Sequence, residues 1–277
     1  VTDCVAVFQW IISGVAGRAN QAMRHEIQMN ARTQERYPAR YIARLAMCDA
    51  DVAAARKLRS LVFRGAASGI EDADRFDDLC RHMLIERKSD GVLVATFRLL
   101  LLASGADIER SYSAQYYALE ALEAYAAPMV EMGRFCVVPG VSDPDILRIA
   151  WGAVARIVDA EGIEMLFGCS SFQGVEAARY SDAFAILGDH HLAPRRWWPR
   201  VKAPDVCRFA RGVRRATDRA RALKTMPPLL RSYLTMGGWV SDHAVVDRDL
   251  NTLHVFTGLE ISAIPPARAR AIRAIAV

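Results

Sequence analysis

Six charged side chains in the first half of the chain stand beside apolar neighbours: Arg59, Asp74, Asp77, Arg98, Glu131 and Arg134. Three are cationic and three anionic, so a cleft that gathered them would hold a network able to satisfy itself. The sharpest stretch is Met129-Val130-Glu131-Met132-Gly133-Arg134-Phe135-Cys136-Val137-Val138, where a carboxylate and a guanidinium flank a glycine. The branched and aromatic residues at its ends suit a buried central strand. Buried charge is costly unless paired, and glycine inside a strand often marks a bulge or a close backbone approach. Two readings stay open. One is a structural ion-pair set that pins the N-terminal half to the sheet. The other is an active site in which one carboxylate, held by the network, acts as a base. No metal is expected: the six histidines lack ligand spacing, and the adjacent His190 and His191 would point apart.

These residues need elements to hold them. Tyr41 to Met47 reads as a first strand. Asp49 or Asp51 caps a following helix whose Val52, Ala55, Leu58, Leu61 and Val62 form an apolar stripe, with Arg59 and Phe63 on one face. Leu79 to Ile85 is a second strand, Lys88 to Gly91 a hairpin turn, and Val92 to Leu102 a third strand carrying Arg98. A loop and helix over Ser111 to Tyr125 lead into the central strand. Asp143 and Pro144 start a helix that runs to Ala160 and stops at Gly162. Ile163 to Cys169 is a fifth strand, Ser170 to Gly174 a small-residue turn, and Val175 to Leu187 a helix. A helix from Pro228 to Met236, strands over Trp239 to Val246 and Leu253 to Leu259, and a basic helix from Pro265 complete the chain. Residues 41–277 read as one mixed α/β domain. Residues 1–40 read as an N-terminal extension, disordered or loosely helical. Its apolar Val5 to Val15 run is too short to span a bilayer, and no basic leader precedes it. Met29 reads as a candidate for the functional start.

The chain has 277 residues, 52% hydrophobic and 24% charged, with a net charge of +5. That is ample for a core and favours an acidic partner: nucleic acid, anionic membrane or acidic protein. The charge is concentrated between Arg195 and Lys224, where eleven cations face two aspartates. Trp197-Trp198 sits at the start of that segment and offers an interfacial anchor. The six cysteines are scattered without a CxxC pair, so neither a zinc ribbon nor a redox dithiol is indicated, and a reducing cytosol fits. After the central strand, Pro139-Gly140-Val141-Ser142-Asp143-Pro144 is unlike a glycine-rich anion loop. Asp143 and Asp145 would repel a nucleotide or coenzyme A pyrophosphate.

Seven segments in order, among them DRFDDLCRHMLIE from Asp74, VEMGRFCV from Val130, FGCSSFQG from Phe167 and LLRSYLTMGGWVSDHAVVDRD from Leu229, carry a family resemblance. From about Tyr41 onward the chain resembles the ornithine–acyl carrier protein N-acyltransferases of bacterial ornithine-lipid biosynthesis. That family resembles the Gcn5-related N-acyltransferase (GNAT) fold, so an α/β (α+β) architecture is implied: a central mixed, mostly antiparallel sheet flanked by helices. The chain is also similar to acyl-homoserine lactone synthases, through Arg59/Phe63, Asp74/Phe76/Asp77, Arg98/Leu99 and Glu131/Arg134/Phe135. The tryptophan those synthases carry in the loop after Phe63 has no counterpart here, which argues against S-adenosylmethionine as acceptor.

The resemblance implies aminolysis of a thioester. The α-amino group of L-ornithine would take a 3-hydroxyacyl chain from acyl-phosphopantetheine on an acyl carrier protein, with no bound cofactor, giving lyso-ornithine lipid. Glu131 is the expected base, directly or through water. Arg98 and Arg134 hold Glu131 or bind the substrate carboxylate, and Arg59, Asp74 and Asp77 complete the network. A bulge at Gly133 aims a main-chain N–H at the oxyanion. Cys136, Ser170 and Ser171 line the pantetheine groove, although the two serines equally suit a helix cap. No cysteine is expected as a nucleophile. Arg195, Arg196, Trp197, Trp198, Arg211, Arg214 and Arg215 are expected to dock the acidic carrier or the membrane. The protein is expected in the cytoplasm, with peripheral contact to the inner membrane. Asp182, Asp242 and Asp247 are candidates for the ornithine side chain. Glutamine or another amino acid, an acyl-homoserine lactone synthase, and a non-catalytic hemolysin-like lipid binder are the alternatives. A nucleic-acid binder lacks any reading motif.

Overall fold

Among the described residues, nine strands pair into one sheet. The computed structural model describes residues 40–209 and 217–275. In chain order the strands are β1 Tyr41–Leu45, β2 Arg81–Arg87, β3 Leu93–Leu102, β4 Tyr117–Ala118, β5 Met129–Val137 and β6 Met165–Gln173. Then come β7 Arg200–Val201, β8 Val206–Arg208, β9 Trp239–Val240, β10 His243–Asp247 and β11 Thr252–Glu260. The helices are α1 Asp49–Arg59, α2 Pro144–Glu161, α3 Ser181–His190, α4 Arg219–Thr225, α5 Pro228–Thr235 and α6 Pro266–Ile275. Neighbours in the sheet run β1-β2-β3-β5-β6-β11-β10-β8, with β9 paired to β11, and β4 and β7 form a separate two-stranded ladder. Sheet pairing is antiparallel except between β5 and β6. Those two are joined through α2, since parallel neighbours need a long crossover.

Local chemistry explains α2. The Asp143 side chain accepts the Asp145 N–H at 3.0 Å, Pro144 sits at the first helical position, and Gly162 closes the helix in a left-handed conformation (φ 61°). Its inner stripe, Ile146, Ala150, Trp151, Val154 and Val158, packs on Leu99, Val130, Leu166 and Leu259 of the sheet. The opposite sheet face carries a second core that includes Leu100, Tyr117, Phe167, Val245 and Phe256.

The parallel ladder lasts three rungs, ending at Glu131↔Phe167. At the next residue of β6 a side chain is impossible, because a Cβ on Gly168 would lie 2.3 Å from the Met132 carbonyl oxygen. Past that contact the strands diverge, and a cleft of about 1670 Å³ opens between Met132–Phe135 on one side and Cys169–Gln173 on the other.

Several local expectations need correction. Ser170 to Gln173 form no turn: they continue β6 and pair with β11 as far as Gln173↔Thr252, so the ladder satisfies their backbone. Ser111 to Tyr125 contains no α-helix. The Tyr112 and Ser113 N–H groups bond the Glu131 carboxylate at 2.8 Å each instead of a helical ladder, leaving short 3₁₀ turns and β4. α3 begins only at Ser181, after a 3₁₀ turn over Ala177–Tyr180. α1 continues as a π-helical turn over Ser60–Arg64.

Candidate active site

Ladder partners share a sheet face, and the register therefore sorts the polar residues. Glu131 lies across from Leu100 and Phe167, Ser171 across from His254, and Gln173 and Asp247 across from Thr252. Glu131, Cys169, Ser171, His254, Thr252 and Asp247 consequently share one face. Ser170, across from Val255, lies on the other, where its Oγ accepts the Thr257 hydroxyl at 2.9 Å. The two serines thus do not act as a pair, although both reach the cleft wall.

Five of the six charged residues form one network. Arg59, 1% exposed, donates to Asp72 at 2.7 Å and Asp77 at 2.5 Å. Arg98 donates to Asp74 at 2.6 and 2.8 Å and to Asp77 at 2.7 Å. Arg134 donates to Asp72 at 3.1 Å and Asp74 at 3.3 Å. Burial works to raise the Asp74 and Asp77 carboxyls, but the guanidiniums of Arg98 and Arg59 hold both below the ordinary carboxylate range. Three guanidiniums are matched by Asp72, Asp74 and Asp77, and Asp72 is the member that pattern reading missed. Its signal was the Asp72-x-Asp74 repeat in the acidic loop.

Glu131 stands apart from this network. It is 4% exposed and is held by the Tyr112 N–H, the Ser113 N–H and the Ser113 hydroxyl, the last at 2.5 Å. Arg98 and Arg134 make no hydrogen bond to it, because both are committed to the aspartates. Burial raises the Glu131 carboxyl above its ordinary range, against the Ser113 and Tyr112 donors and the charge of Arg98. A buried carboxylate tuned upward suits general-base work near neutral pH.

The bulge is real but displaced by one position. Arg98 pairs with Gly133 and Thr96 with Cys136, so Arg134 and Phe135 together face Phe97. Arg134 takes φ 54°, unusual for a residue with a side chain. Its guanidinium lies 4.9 Å from the Tyr112 ring centroid and 5.8 Å from that of Phe63. Cys136, past the bulge, is buried outside the cleft, and burial pushes its thiol up to about 12.

Burial also raises the Cys169 thiol, whose Sγ lies 3.4 Å from Ser113 Oγ. Neither cysteine has the lowered pKa of a nucleophile. Cys136→Ala and Cys169→Ala are expected to keep turnover within a few-fold of the parent, measured beside a folding check. A folded but inactive variant would contradict this.

His254 is buried, with its backbone carbonyl accepting the Tyr117 hydroxyl at 2.7 Å, and burial lowers its ring to about 3 from an ordinary 6.5. The folded imidazole is neutral where the unfolded one is charged. The contribution of this ring to stability is therefore complete above pH 6.5 and is lost as pH drops toward 3, by about 1.4 kcal/mol per pH unit. His254→Gln should flatten that slope in denaturant titrations. An unchanged slope would mean that the ring is solvated.

The docking residues fare differently. Arg195 and Arg196 are exposed, and Arg196 is paired with Glu260 at 2.9 Å. Trp197 and Trp198 are half-buried against the Phe167–Phe256 core, with Trp197 5.1 Å from the Tyr125 ring, so they are not a free interfacial pair. Arg200, Lys202 and Arg208 also meet acidic partners. Arg211, Arg214 and Arg215, like the extension before Arg40, lie outside the described residues. No helix among the described residues is long and apolar enough to cross a membrane.

The chain matches the Acetyltransferase (GNAT) domain family over residues 58–152, a span that contains the whole network and Glu131. It is 36% identical over 242 residues to the L-ornithine N(alpha)-acyltransferase of Rhodobacter capsulatus, covering 82% of this chain and 92% of that one. It is 30% identical to the protein of the same name from Rhizobium meliloti, covering 80% of each. The N-acyl amino acid synthase FeeM from uncultured soil microbes is 12% identical, with a TM-score of 0.47 over 83% of this chain and 98% of that one. Fold and site define an acyltransferase of the GNAT type. Within that class, the chain belongs to the L-ornithine N(alpha)-acyltransferase family.

Proposed function

We propose that this protein moves a 3-hydroxyacyl chain from the phosphopantetheine thioester of an acyl carrier protein to the α-amino group of L-ornithine, giving lyso-ornithine lipid. The observation that supports this most is a single cleft with two unlike ends. One end presents Glu131, Tyr112, His254 and Asp247; the other gathers the apolar Val137, Ile146, Leu147, Leu229, Met236 and Ile272, and Arg148, Arg231 and Arg268 on the same helices also reach the lining. An amino acid suits the first end and a fatty chain the second.

Glu131 takes a proton from the incoming ammonium, directly or through one water, using the lone pair of Oε2 that Tyr112 leaves open. The freed amine attacks the thioester carbonyl, and the C–N bond forms as the carbonyl electron pair moves to oxygen. Main-chain N–H groups of the bulge at Arg134 and Phe135 stabilise that oxyanion. Collapse breaks the C–S bond as the second proton lost from nitrogen passes to the departing sulfur, and Glu131 releases the first to solvent. Arg59, Arg98 and Arg134 fix the wall around the base through Asp72, Asp74 and Asp77.

A carrier-borne donor fits the start of α2. Its N-terminus is already capped by the Asp143 carboxylate, which would repel a coenzyme A pyrophosphate. The basic segment docks the acidic carrier on the cytoplasmic side, beside the inner membrane, and residues 41–277 carry the activity. Reversing Arg211, Arg214 and Arg215 to glutamate should raise KM for the carrier-bound donor, most strongly at low salt because added salt raises the KM of the parent, and leave a short acyl-pantetheine donor unaffected. Equal KM values for both proteins at all salt concentrations would remove this role.

The reaction is tested by offering purified protein an acyl-carrier donor with labelled ornithine, glutamine and S-adenosylmethionine. Label from ornithine in the acylated product is expected. Label from S-adenosylmethionine in a lactone would instead make the protein a homoserine lactone synthase.

A further inference from the structure

Three aspartates could recognise a cationic acceptor side chain, and their surroundings separate them. Asp182 is already paired with Arg221. Asp242 is held by His243 at 2.6 Å, with Arg208 at 3.6 Å. Neither lines the cleft. Asp247 does, at the end of β10, and is 6% exposed. Its Oδ1 accepts the Leu250 N–H at 3.0 Å, and among the described residues no cation pairs with it.

A carboxylate so withdrawn from water, with no counter-charge, is costly to keep. Two further polar atoms beside it share that condition. Among the described residues, Thr252, its cross-strand partner, has a buried Oγ1 without a hydrogen-bond partner, and the buried His254 has an unpartnered Nε2; both residues line the cleft. All three lie on the sheet face that carries Glu131. Glu131, Cys169 and Asp247 all line this one cleft, with Cys169 on the strand between the two carboxylates. The turn that bears Asp247 is fixed from outside: Arg64, after α1, grips Asp249 through two bonds of 2.7 and 2.8 Å.

We propose that Asp247 selects the acceptor by pairing with its side-chain ammonium, assisted by the Thr252 hydroxyl. This rests on the ornithine reading above. The missing cation is then brought by the substrate: bound ornithine places its α-amine toward Glu131 and its δ-ammonium at Asp247. A neutral side chain of equal length would leave the carboxylate unpaired, and that difference is the source of selectivity.

The test compares L-ornithine with L-norvaline, the same chain without its δ-amino group, using the full chain and a saturating acyl-carrier donor. The parent should prefer ornithine by ~100-fold or more in kcat/KM. Asp247→Asn keeps an oxygen for the Leu250 N–H and should cut that preference by ~100-fold, with an unchanged KM for the donor. Asp182→Asn and Asp242→Asn should keep the preference. A parent that takes norvaline as readily as ornithine overturns the proposal without any variant having to fold. A selective parent whose Asp247→Asn form stays equally selective overturns it while leaving the ornithine reading intact. A parent that acylates neither amino acid removes both.

Discussion

Glu131→Gln is expected to lower turnover at saturating substrate by roughly 100-fold or more, the usual contribution of a positioned base. Glutamine preserves the size of the side chain and one acceptor oxygen. That oxygen can serve the two Ser113 donors, but the amide nitrogen then faces the Tyr112 N–H, where the carboxylate accepted at 2.8 Å. The variant should therefore also lose about 1–3 kcal/mol of stability for the mismatched donor pair. Turnover must be read well below its melting temperature so that the chemical loss is not confused with unfolding. The acid limb of the kcat/KM profile, set above the ordinary carboxylate range by the burial of Glu131, should disappear with it. Near-parent turnover would exclude Glu131 as the base.

Arg59→Ala and Asp77→Ala are expected to cost about 3–5 kcal/mol each, because each strands a buried partner. Asp77 accepts from Arg59, Arg98 and Arg56, so its removal leaves two buried guanidiniums short of an acceptor. For a domain of this size the melting temperature should fall on the order of 10 °C. The pH dependence has a definite sign. The Asp74 and Asp77 carboxyls are depressed in the folded protein, so their contribution is complete above the unfolded value and is lost as pH falls below about 4. Asp77→Asn should weaken that acid loss. Variants that melt with the parent would show that these groups are solvated.

The central strand was legible because its signals agreed: branched residues at its ends, charges that need partners, and a glycine between them. α2 was legible for the same reason, since Asp143, Pro144 and Gly162 each have one suited position. Other features depend on partners distant in sequence. Nothing local says that Tyr112 and Ser113 turn their N–H groups to a carboxylate nineteen and eighteen residues on, so the local sequence there resembles a helix. Ser170 to Gln173 look like a turn by composition and are a strand only because β11 lies alongside. Asp72 was passed over because its neighbours are those of a loop, and only folding brings Arg59 and Arg134 to it. Periodicity likewise could not choose among Asp182, Asp242 and Asp247. What separates them is that two already have cationic partners and one lines the cleft with none among the described residues.

The central claim is that this chain joins a fatty acyl group to ornithine, and mass spectrometry of cell lipids tests it most directly. The gene is expressed in a bacterial host that makes no ornithine lipids, beside a Glu131→Gln control, and the extracted lipids are fragmented. A new family of species whose fragments give ornithine carrying one amide-linked 3-hydroxyacyl chain, absent from the control, is the predicted result. Lipids identical to those of the empty host, or an amide-linked product that contains no ornithine, would contradict it.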